Sequence, residues 1–569
     1  LGKRAALVIS TLISYGRLDI RKLSNKAGIS SVLAKKALVS LIQLGCVSVW
    51  EEKNLKTEIT YYSFREDGAL LLLYSGEIIS YIEQLYNNDT LVQIVQNFLA
   101  LGNLSINEYL TSFGTKDAEE TALIEKQFLT LVQDKFFVPI QKTHFAPLKE
   151  IWMQTYKIAY NKIPKTSSLS ELKRSSEAKS NAKLEFLNIL NHEPESLYIK
   201  DKMTSFLKVN PNLQLAFDLK RFLKAKRSIQ LTQFCSHRVG RITSIVYKQA
   251  LLNTEKGSPD VVNPLIQIGL TNEEIATLKD YNPKSTAMFS AKDILKTFPK
   301  DISLAESILS GPPKRKSNDQ RNGSNAKRIK REDGSFQPLD NVYELEEEDE
   351  DDDEDEGFDS VSSLAIIDKH LRILVASNVP FLKKASDGLY YVPFPELVVH
   401  LKRSVCDSIV SGTLGPPSAR ILRCVRENRL VSEKLINSVA LLKEKEARAL
   451  TLTLVKFNLL QITEIPKSAD RAASKTVFLY RANEQHSNDF VKKNLCWNMG
   501  QLLDKIKDLK ESNALLITKI NRDDVKGKEL DYLLPSELVQ LKQMKDKELE
   551  LSIRFNRLAS LWEVFQFYF

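Results

Sequence analysis

Cysteine and histidine are scarce in this chain, five and six in 569 residues, and neither is spaced to hold a metal. Cys46, Cys235, Cys406, Cys424 and Cys496 form no CxxC pair, and no two histidines make an HExxH or HxH pattern. That argues against a zinc finger and a disulfide framework, and it suits a reducing compartment. Long apolar runs are also missing. The longest, such as Ala69 to Tyr74, are core-sized and far short of the ~20 residues of a membrane span. The phosphate, dinucleotide and nucleophile motifs GxxxxGKS/T, GxGxxG and GxSxG do not occur. Asp523-Asp524 stands beside Arg522 and Lys526, where capping or salt bridging accounts for it, and His144, His237 and His400 are isolated. No cofactor and no metal are expected, and the chain does not read as an enzyme. A signal peptide is not visible. Leu1 to Ile13 reads as helix from the first residue, and some N-terminal sequence is expected to precede it.

What the chain does hold is a layout that recurs. Gly16-Arg17-Leu18-Asp19-Ile20 leads into a short polar helix (Arg21 to Ala27), a second helix (Ser30 to Leu44), and an alternating hairpin, Cys46 to Trp50 with Thr57 to Phe64. Later, Gly102-Asn103-Leu104-Ser105-Ile106 opens the same order: Asn107 to Phe113, Glu119 to Val132, Phe136 to Gln141. Helix, short helix, helix and hairpin is the plan of a winged helix. In the first unit the spacing puts Ala6, Ile9, Leu12 and Ile13 on one face of the opening helix. It makes Val32, Leu33, Leu38, Leu41 and Ile42 the core side of the third, with Lys35 and Lys36 pointing elsewhere.

The predicted architecture is mainly α with small β-hairpins: four tandem extended winged helices followed by a C-terminal antiparallel coiled-coil hairpin. The expected units are 1–86, 88–162, 163–395, 396–490 and 491–569. The first two each end in an extra helix, about Gly68 to Tyr86 and Pro147 to Tyr160. Lys165 to Lys183 is a basic, Ser-rich linker. The third unit is split. Its front half is expected in Leu213 to Leu223 (a strand), Ser228 to Ser236 and Val239 to Leu252. Its back half is expected in Ser363 to Ala376 and the hairpin Val379 to Phe394. The insertion between, about 310–358, is too polar to offset its ordering entropy. In the last eighty residues Leu495, Met499, Leu502, Ile506, Leu509, Asn513, Leu516 and Ile520 step by fours and threes. The stepping resumes from Leu541 and Met544 to Trp562 and Phe565, a heptad seam on two helices. The aromatic end, Trp562 to Phe569, calls for a dry neighbour, in a partner or in one of the winged helices.

Charge is unevenly spread. The net formal charge is +9, and Glu344 to Glu356 alone carries twelve acids, so without that run the balance is +21. Such a remainder suits a polyanionic neighbour or simply well-solvated helix surfaces. Inside the insertion, Lys314-Arg315-Lys316 and Lys327-Arg328-Ile329-Lys330-Arg331 stand ten residues apart, a spacing that fits the two acidic grooves of a nuclear import receptor. A solvated linker balancing the acidic run is the alternative. For phosphate contact the candidates are Lys220, Arg221, Lys224, Lys226, Arg227, Arg238 and Arg241, then Arg420, Arg423, Arg426 and Arg429. Unpatterned cations of this kind give salt-dependent, sequence-neutral affinity. Pairing with acids of a protein partner is the equal alternative. The recognition helices themselves lack the exposed Arg, Asn or Gln that read base edges. The second carries Glu119, Glu120 and Glu125, which repel phosphate and mark a docking module.

Several stretches together resemble one family: Leu72-Leu73-Tyr74-Ser75-Gly76, Arg238-Val239-Gly240, Gly388-Leu389-Tyr390-Tyr391-Val392-Pro393 and Leu430-Val431-Ser432-Glu433-Lys434. Ala469-Asp470-Arg471-Ala472-Ala473-Ser474, Asn521-Arg522-Asp523-Asp524-Val525-Lys526-Gly527, Leu533-Leu534-Pro535-Ser536-Glu537-Leu538 and Leu561-Trp562-Glu563-Val564-Phe565 extend the likeness over nearly the whole chain. They resemble the third-largest subunit of RNA polymerase III, in its fungal, yeast-type form. The first winged helix is also similar to that of the alpha subunit of general factor IIE. The resemblance implies four extended winged helices with a C-terminal coiled coil. It implies a non-catalytic nuclear subunit, joined with two smaller subunits in a trimer on the polymerase clamp. That trimer would help recruit the enzyme to the promoter-bound initiation factor and open the DNA of transfer-RNA, 5S and other small-RNA genes. The competing class, from the residues alone, is a free-standing winged-helix regulator that reads sequence.

Overall fold

The computed structural model describes residues 2–54, 57–114, 118–163, 170–192, 194, 196–200, 207–271, 288–299, 358–466 and 476–568. Local rules set the first unit. The helix Lys3–Tyr15 stops at Gly16, whose φ of 75° a side chain resists. Asp19 closes the strand Leu18–Asp19 and caps the helix Ile20–Ala27 through the Lys22 N–H, at 3.1 Å. Ser30 caps the next helix, Ser31–Gln43, in the same way. The hairpin Val47–Asn54 and Thr57–Phe64 follows, and Leu18–Asp19 pairs with its second strand. Ala5, Val8, Leu12, Leu23, Leu38, Leu41 and Val47 form a core belonging to this unit.

Two expectations about its faces fail. Ala6 and Ile13 are exposed, because the opening helix turns Ala5, Val8 and Leu12 inward instead. Val32 is 65% exposed. The buried face of its helix is Ala34, Leu38 and Leu41, which leaves Val32 on the opposite side. The extension is two helices, Glu66–Leu73 and Ser75–Tyr86, broken at Tyr74. Gly68 is forced by contact: a Cβ there would lie 2.3 Å from the backbone of Gly45.

The second unit repeats the order with helices Asp89–Leu101, Ile106–Phe113 and Ala118–Gln133 and strands Asn103–Ser105 and Phe137–Pro139. Its middle strand, Gln214–Phe217, comes from much later in the chain and pairs with both others. This corrects the expected boundary at 162 and the reading of Leu213 to Leu223 as the opening of the third unit. Leu215 is fully buried, and the Phe217 ring lies 6.1 Å from Phe136 and 6.3 Å from Phe137, so the strand fills this unit's own core. Inserted ahead of it are a helix pair, Leu148–Lys162 and Glu171–Asn191, and a hairpin, Tyr198–Lys200 with Leu207–Val209. From Glu171 on, the basic stretch expected as a linker is part of the helix Glu171–Asn191. It buries Ala178, Ala182 and Phe186.

A twenty-residue helix, Leu219–Arg238, then runs into Gly240 (φ 137°) and the first helix of the third unit, Arg241–Glu255. The unit continues with the strand Met288–Ser290 and the helix Ala291–Thr297. After the insertion come the helix Phe358–Ala376 and the strands Lys383–Ser386 and Leu389–Tyr391, which pair with each other and with Met288–Ser290. The unit is split, as expected from the sequence, but its first strand is Met288–Ser290.

The fourth unit has helices Phe394–Leu414, Pro416–Asn428, Glu433–Ala440 and Glu444–Lys456. In its sheet Thr476–Ala482 lies between Leu430–Ser432 and Leu460–Pro466. The two long helices Glu484–Ser512 and Pro535–Gln566, with Ala514–Ile520 between them, form the antiparallel hairpin. Leu495, Met499, Leu516, Leu541 and Met544 of the expected seam are buried. One apolar core runs from Leu70 through units two, three and four to Tyr568. The aromatic end finds its dry neighbour within the chain: Val564, Phe565, Phe567 and Tyr568 are buried in that core.

Candidate nucleic-acid interface

The helix Leu219–Arg238 carries most of the cations expected to meet phosphate, and the fold turns them inward. Arg221 is buried. It donates to the Asp134 carbonyl at 3.0 Å, pairs with the buried Glu255, and lies 4.6 Å over the Phe136 ring. Lys224 donates to the Ser258 carbonyl at 2.8 Å and pairs with Asp260 at 2.9 Å. Lys226 bridges Glu77 at 2.7 Å and Glu563 at 2.6 Å, with its ammonium 4.3 Å over the Tyr74 ring. Arg227 donates to the Pro259 carbonyl and the Ser258 hydroxyl at 3.1 and 2.8 Å and lies 4.0 Å over Phe394. Burial brings the Arg227 guanidinium down to about 10. Burial works against ionising Asp260, but Lys224 and Lys220 outweigh it and hold its carboxyl below the ordinary value. Cations so engaged are not offered to an outside phosphate. Each of the four ties this helix to another part of the molecule.

The Glu563 site shows how closely these ties are built. Glu563 is 1% exposed. Burial raises its carboxyl above the usual value, and Lys226 and Tyr74 offset part of that. The Tyr74 hydroxyl donates to it at 2.8 Å, and Gln230 adds a bond to the Ser560 carbonyl at 3.0 Å. The extension of the first unit, the connecting helix and the end of the coiled-coil hairpin thus meet on one carboxylate.

Six of the candidates remain at the surface. Lys220 is half-exposed, 4.0 Å from Asp260. Arg238 and Arg241 flank the Val239-Gly240 turn, both exposed, and neither makes an ion pair among the described residues. Arg238 lies over the Phe234 ring. In the fourth unit Arg420 donates to the last carbonyl of the short helix, Ala440, at 3.0 Å. Arg423 is loosely held, 3.9 Å from Asp407 and more than half exposed, whereas Arg426 is taken by Asp407. Arg238 and Arg423 both favour the charged form of the half-buried Asp407. Arg429 is exposed in a left-handed turn (φ 60°). Lys314, Arg315, Lys316, Lys327, Arg328, Lys330 and Arg331 lie outside the described residues, as does the acidic run.

The four third helices complete the picture. Their outward positions include Val32, Lys35, Lys36 and Val39; Glu119, Glu120, Leu123 and Lys126; Ala365, Lys369, Arg372 and Ile373; Lys445, Ala449, Leu452 and Lys456, beside Arg448, which is paired with Glu433 at 2.7 Å. Arg372 is paired with Asp368 at 2.8 Å, and Glu125 with Lys208 at 3.0 Å. No helix here presents the array of exposed Arg, Asn and Gln that reads base edges. Sequence reading missed Glu255, Asp260 and Glu563 as counter-ions. Only Trp562 to Phe569, whose apolar character asks for cover, hinted at the last of these.

Similarity to known proteins agrees with this layout. Residues 126–401 match the family model for RNA polymerase III subunit RPC82, and residues 1–52 match that subunit's helix-turn-helix domain. Residues 406–482 match the POLR3C C-terminal winged-helix domain. Residues 515–566 match the helical hairpin domain of DNA-directed RNA polymerase III subunit RPC3. The RPC3 subunit of Saccharomyces cerevisiae is 41% identical over 602 aligned positions, covering all of this chain and 91% of that protein. The chain belongs to the RPC3 family of RNA polymerase III subunits. Its Eremothecium gossypii relative is 40% identical over all of this chain and 93% of its own length, and the Candida albicans RPC3 is 36% identical over 99% and 95%. Two stretches that carry the RPC3 resemblance, Leu72 to Gly76 and Leu561 to Phe565, touch each other through the Tyr74–Glu563 bond.

Proposed function

We propose that this chain is a non-catalytic subunit of RNA polymerase III, held with two smaller subunits in a heterotrimer on the clamp of the largest subunit. In this reading it acts in the nucleus, supporting recruitment by the promoter-bound initiation factor and DNA opening at transfer-RNA, 5S and other small-RNA genes. The supporting observation is the fate of the charged side chains. Four cations of the helix Leu219–Arg238 are spent joining units to one another, and the recognition helices expose a mixture of aliphatic, lysine and acidic positions with no array of Arg, Asn and Gln. That is the surface of a rigid platform, not of a sequence reader.

Contact with DNA in the cleft then falls to Arg238, Arg241 and Arg423, with Lys220 and Arg420 at the margin. Their contribution is electrostatic, so it weakens steeply with salt. The first test is affinity purification from nuclear extract at moderate salt, where the large polymerase subunits are expected to come down with the chain. Recovery without them defeats the reading. The second replaces Arg238, Arg241 and Arg423 by Glu in a reconstituted initiation system. Slower promoter opening is expected, and unchanged opening removes the DNA role.

A further inference from the structure

The first unit is electrically two-sided. Among residues 1–50 there are eight Lys and Arg and one acid, Asp19, and Asp19 is engaged in capping its helix. The acids gather on the hairpin at Glu51, Glu52 and Glu58, where Arg17 pairs with Glu52 at 3.1 Å. The helix-turn-helix side keeps its charge open. Lys22 and Lys26 sit one turn apart on the helix Ile20–Ala27, and Lys35 and Lys36 lie on the helix Ser31–Gln43. All four are exposed, and none makes an ion pair among the described residues. Lys26 rests 4.4 Å over the exposed ring of Tyr15.

Between these cations stand two aliphatic side chains in water. Val32 and Val39, seven residues apart and so on one helical face, are each 65% exposed. Lys35 and Lys36 fall between them on the same stripe. Phosphate has no use for exposed valines, and the face lacks the Arg, Asn and Gln of a base reader. Charge complementarity with an apolar footing fits a polypeptide. We propose that this face docks an acidic segment of a neighbouring polypeptide, its carboxylates on Lys22, Lys26, Lys35 and Lys36 and its apolar side chains against Val32 and Val39. The proposal stands apart from the polymerase assignment. Failed co-purification with the enzyme leaves it intact, and a failed titration here leaves that assembly intact.

The test uses the full chain and a labelled peptide that alternates Glu and Asp with Leu and Phe, followed by fluorescence anisotropy at moderate salt. Polyglutamate and duplex DNA serve as comparison probes. K35E/K36E is expected to weaken the peptide about tenfold or more through reversed charge. V32S/V39S is expected to weaken it about tenfold through lost apolar contact, with polyglutamate and DNA unaffected by that pair. All four positions are exposed, and an unchanged melting profile checks that the variants fold. Three results overturn the proposal. The first is peptide binding indifferent to K35E/K36E, and the second is equal binding of polyglutamate and the mixed peptide with V32S/V39S neutral. The third is tighter peptide binding once the acids of 344–356 are neutralised, which assigns the face to the chain's own acidic run.

Discussion

Two basic helical stretches of this molecule look alike in sequence and end up in opposite situations. Leu219–Arg238 carries Lys220, Arg221, Lys224, Lys226 and Arg227. The helix-turn-helix of the first unit carries Arg21, Lys22, Lys26, Lys35 and Lys36. In the former, acids from distant parts of the chain (Glu77, Glu255, Asp260 and Glu563) close on the cations. In the latter no acid among the described residues does. A run of cations therefore says little about polyanion binding until the counter-ions are located. What decides is burial, because a desolvated charge must be paired while an exposed one is at ease in water.

The contrast is sharpest in stability. Arg221→Ala strands Glu255, 1% exposed, without its partner, and a loss of about 3–5 kcal/mol is expected on chemical unfolding. A loss below about 1 kcal/mol would show that water reaches Glu255 and that the contrast is overdrawn. Next comes Lys226→Met, expected to cost about 2–3 kcal/mol by leaving the Glu563 carboxylate with two neutral donors, Tyr74 and a long bond from Gln230, and no cation. Adding Glu563→Gln to it should recover part of that loss, since an amide tolerates burial better than an unpaired carboxylate. If the double variant is no better than the single, the two residues are not coupled.

A smaller effect should appear with pH. Asp260 is held below its ordinary value in the fold, so its contribution is present above the unfolded carboxyl's value and is lost as pH falls through the folded one. Asp260→Asn should flatten part of the acid limb of a stability-against-pH curve, and an identical limb would count against the Lys224–Asp260 tie. The smallest effect belongs to the other stretch. Lys35→Ala and Lys36→Ala together should move stability by no more than about 0.5 kcal/mol. A larger change would mean that these lysines support the fold.

Much of the architecture was legible because winged helices announce themselves locally. Gly16, Asp19 and Ser30 punctuate the first unit, Ser105 and Glu108 form a capping box in the second, and the heptad stepping marks the last hairpin. The fourth unit is uninterrupted, and its three strands all fall within 430–482. Where an insertion parts strands that pair, local signals fail. Gln214–Phe217 is four residues long and carries no mark of partners at Asn103–Ser105 and Phe137–Pro139. Helical faces were misjudged by one step at Ala5 and Ala6, since periodicity fixes spacing more firmly than phase. The site was the least legible part. That Lys226 belongs to Glu563 is a fact of folding across most of the chain, and no spacing rule conveys it.

The late arrival of the second unit's central strand has a consequence for how the protein is made. Emerging from the ribosome, the edge strands Asn103–Ser105 and Phe137–Pro139 have no middle strand to join until residue 217 has left the exit tunnel. A nascent chain halted before that point presents two unpaired edges and the bare ring of Phe137, the kind of surface that chaperones hold. Translation pauses ahead of Gln214 should then be costlier to yield than pauses just after the first unit, whose sheet closes within its own stretch of sequence.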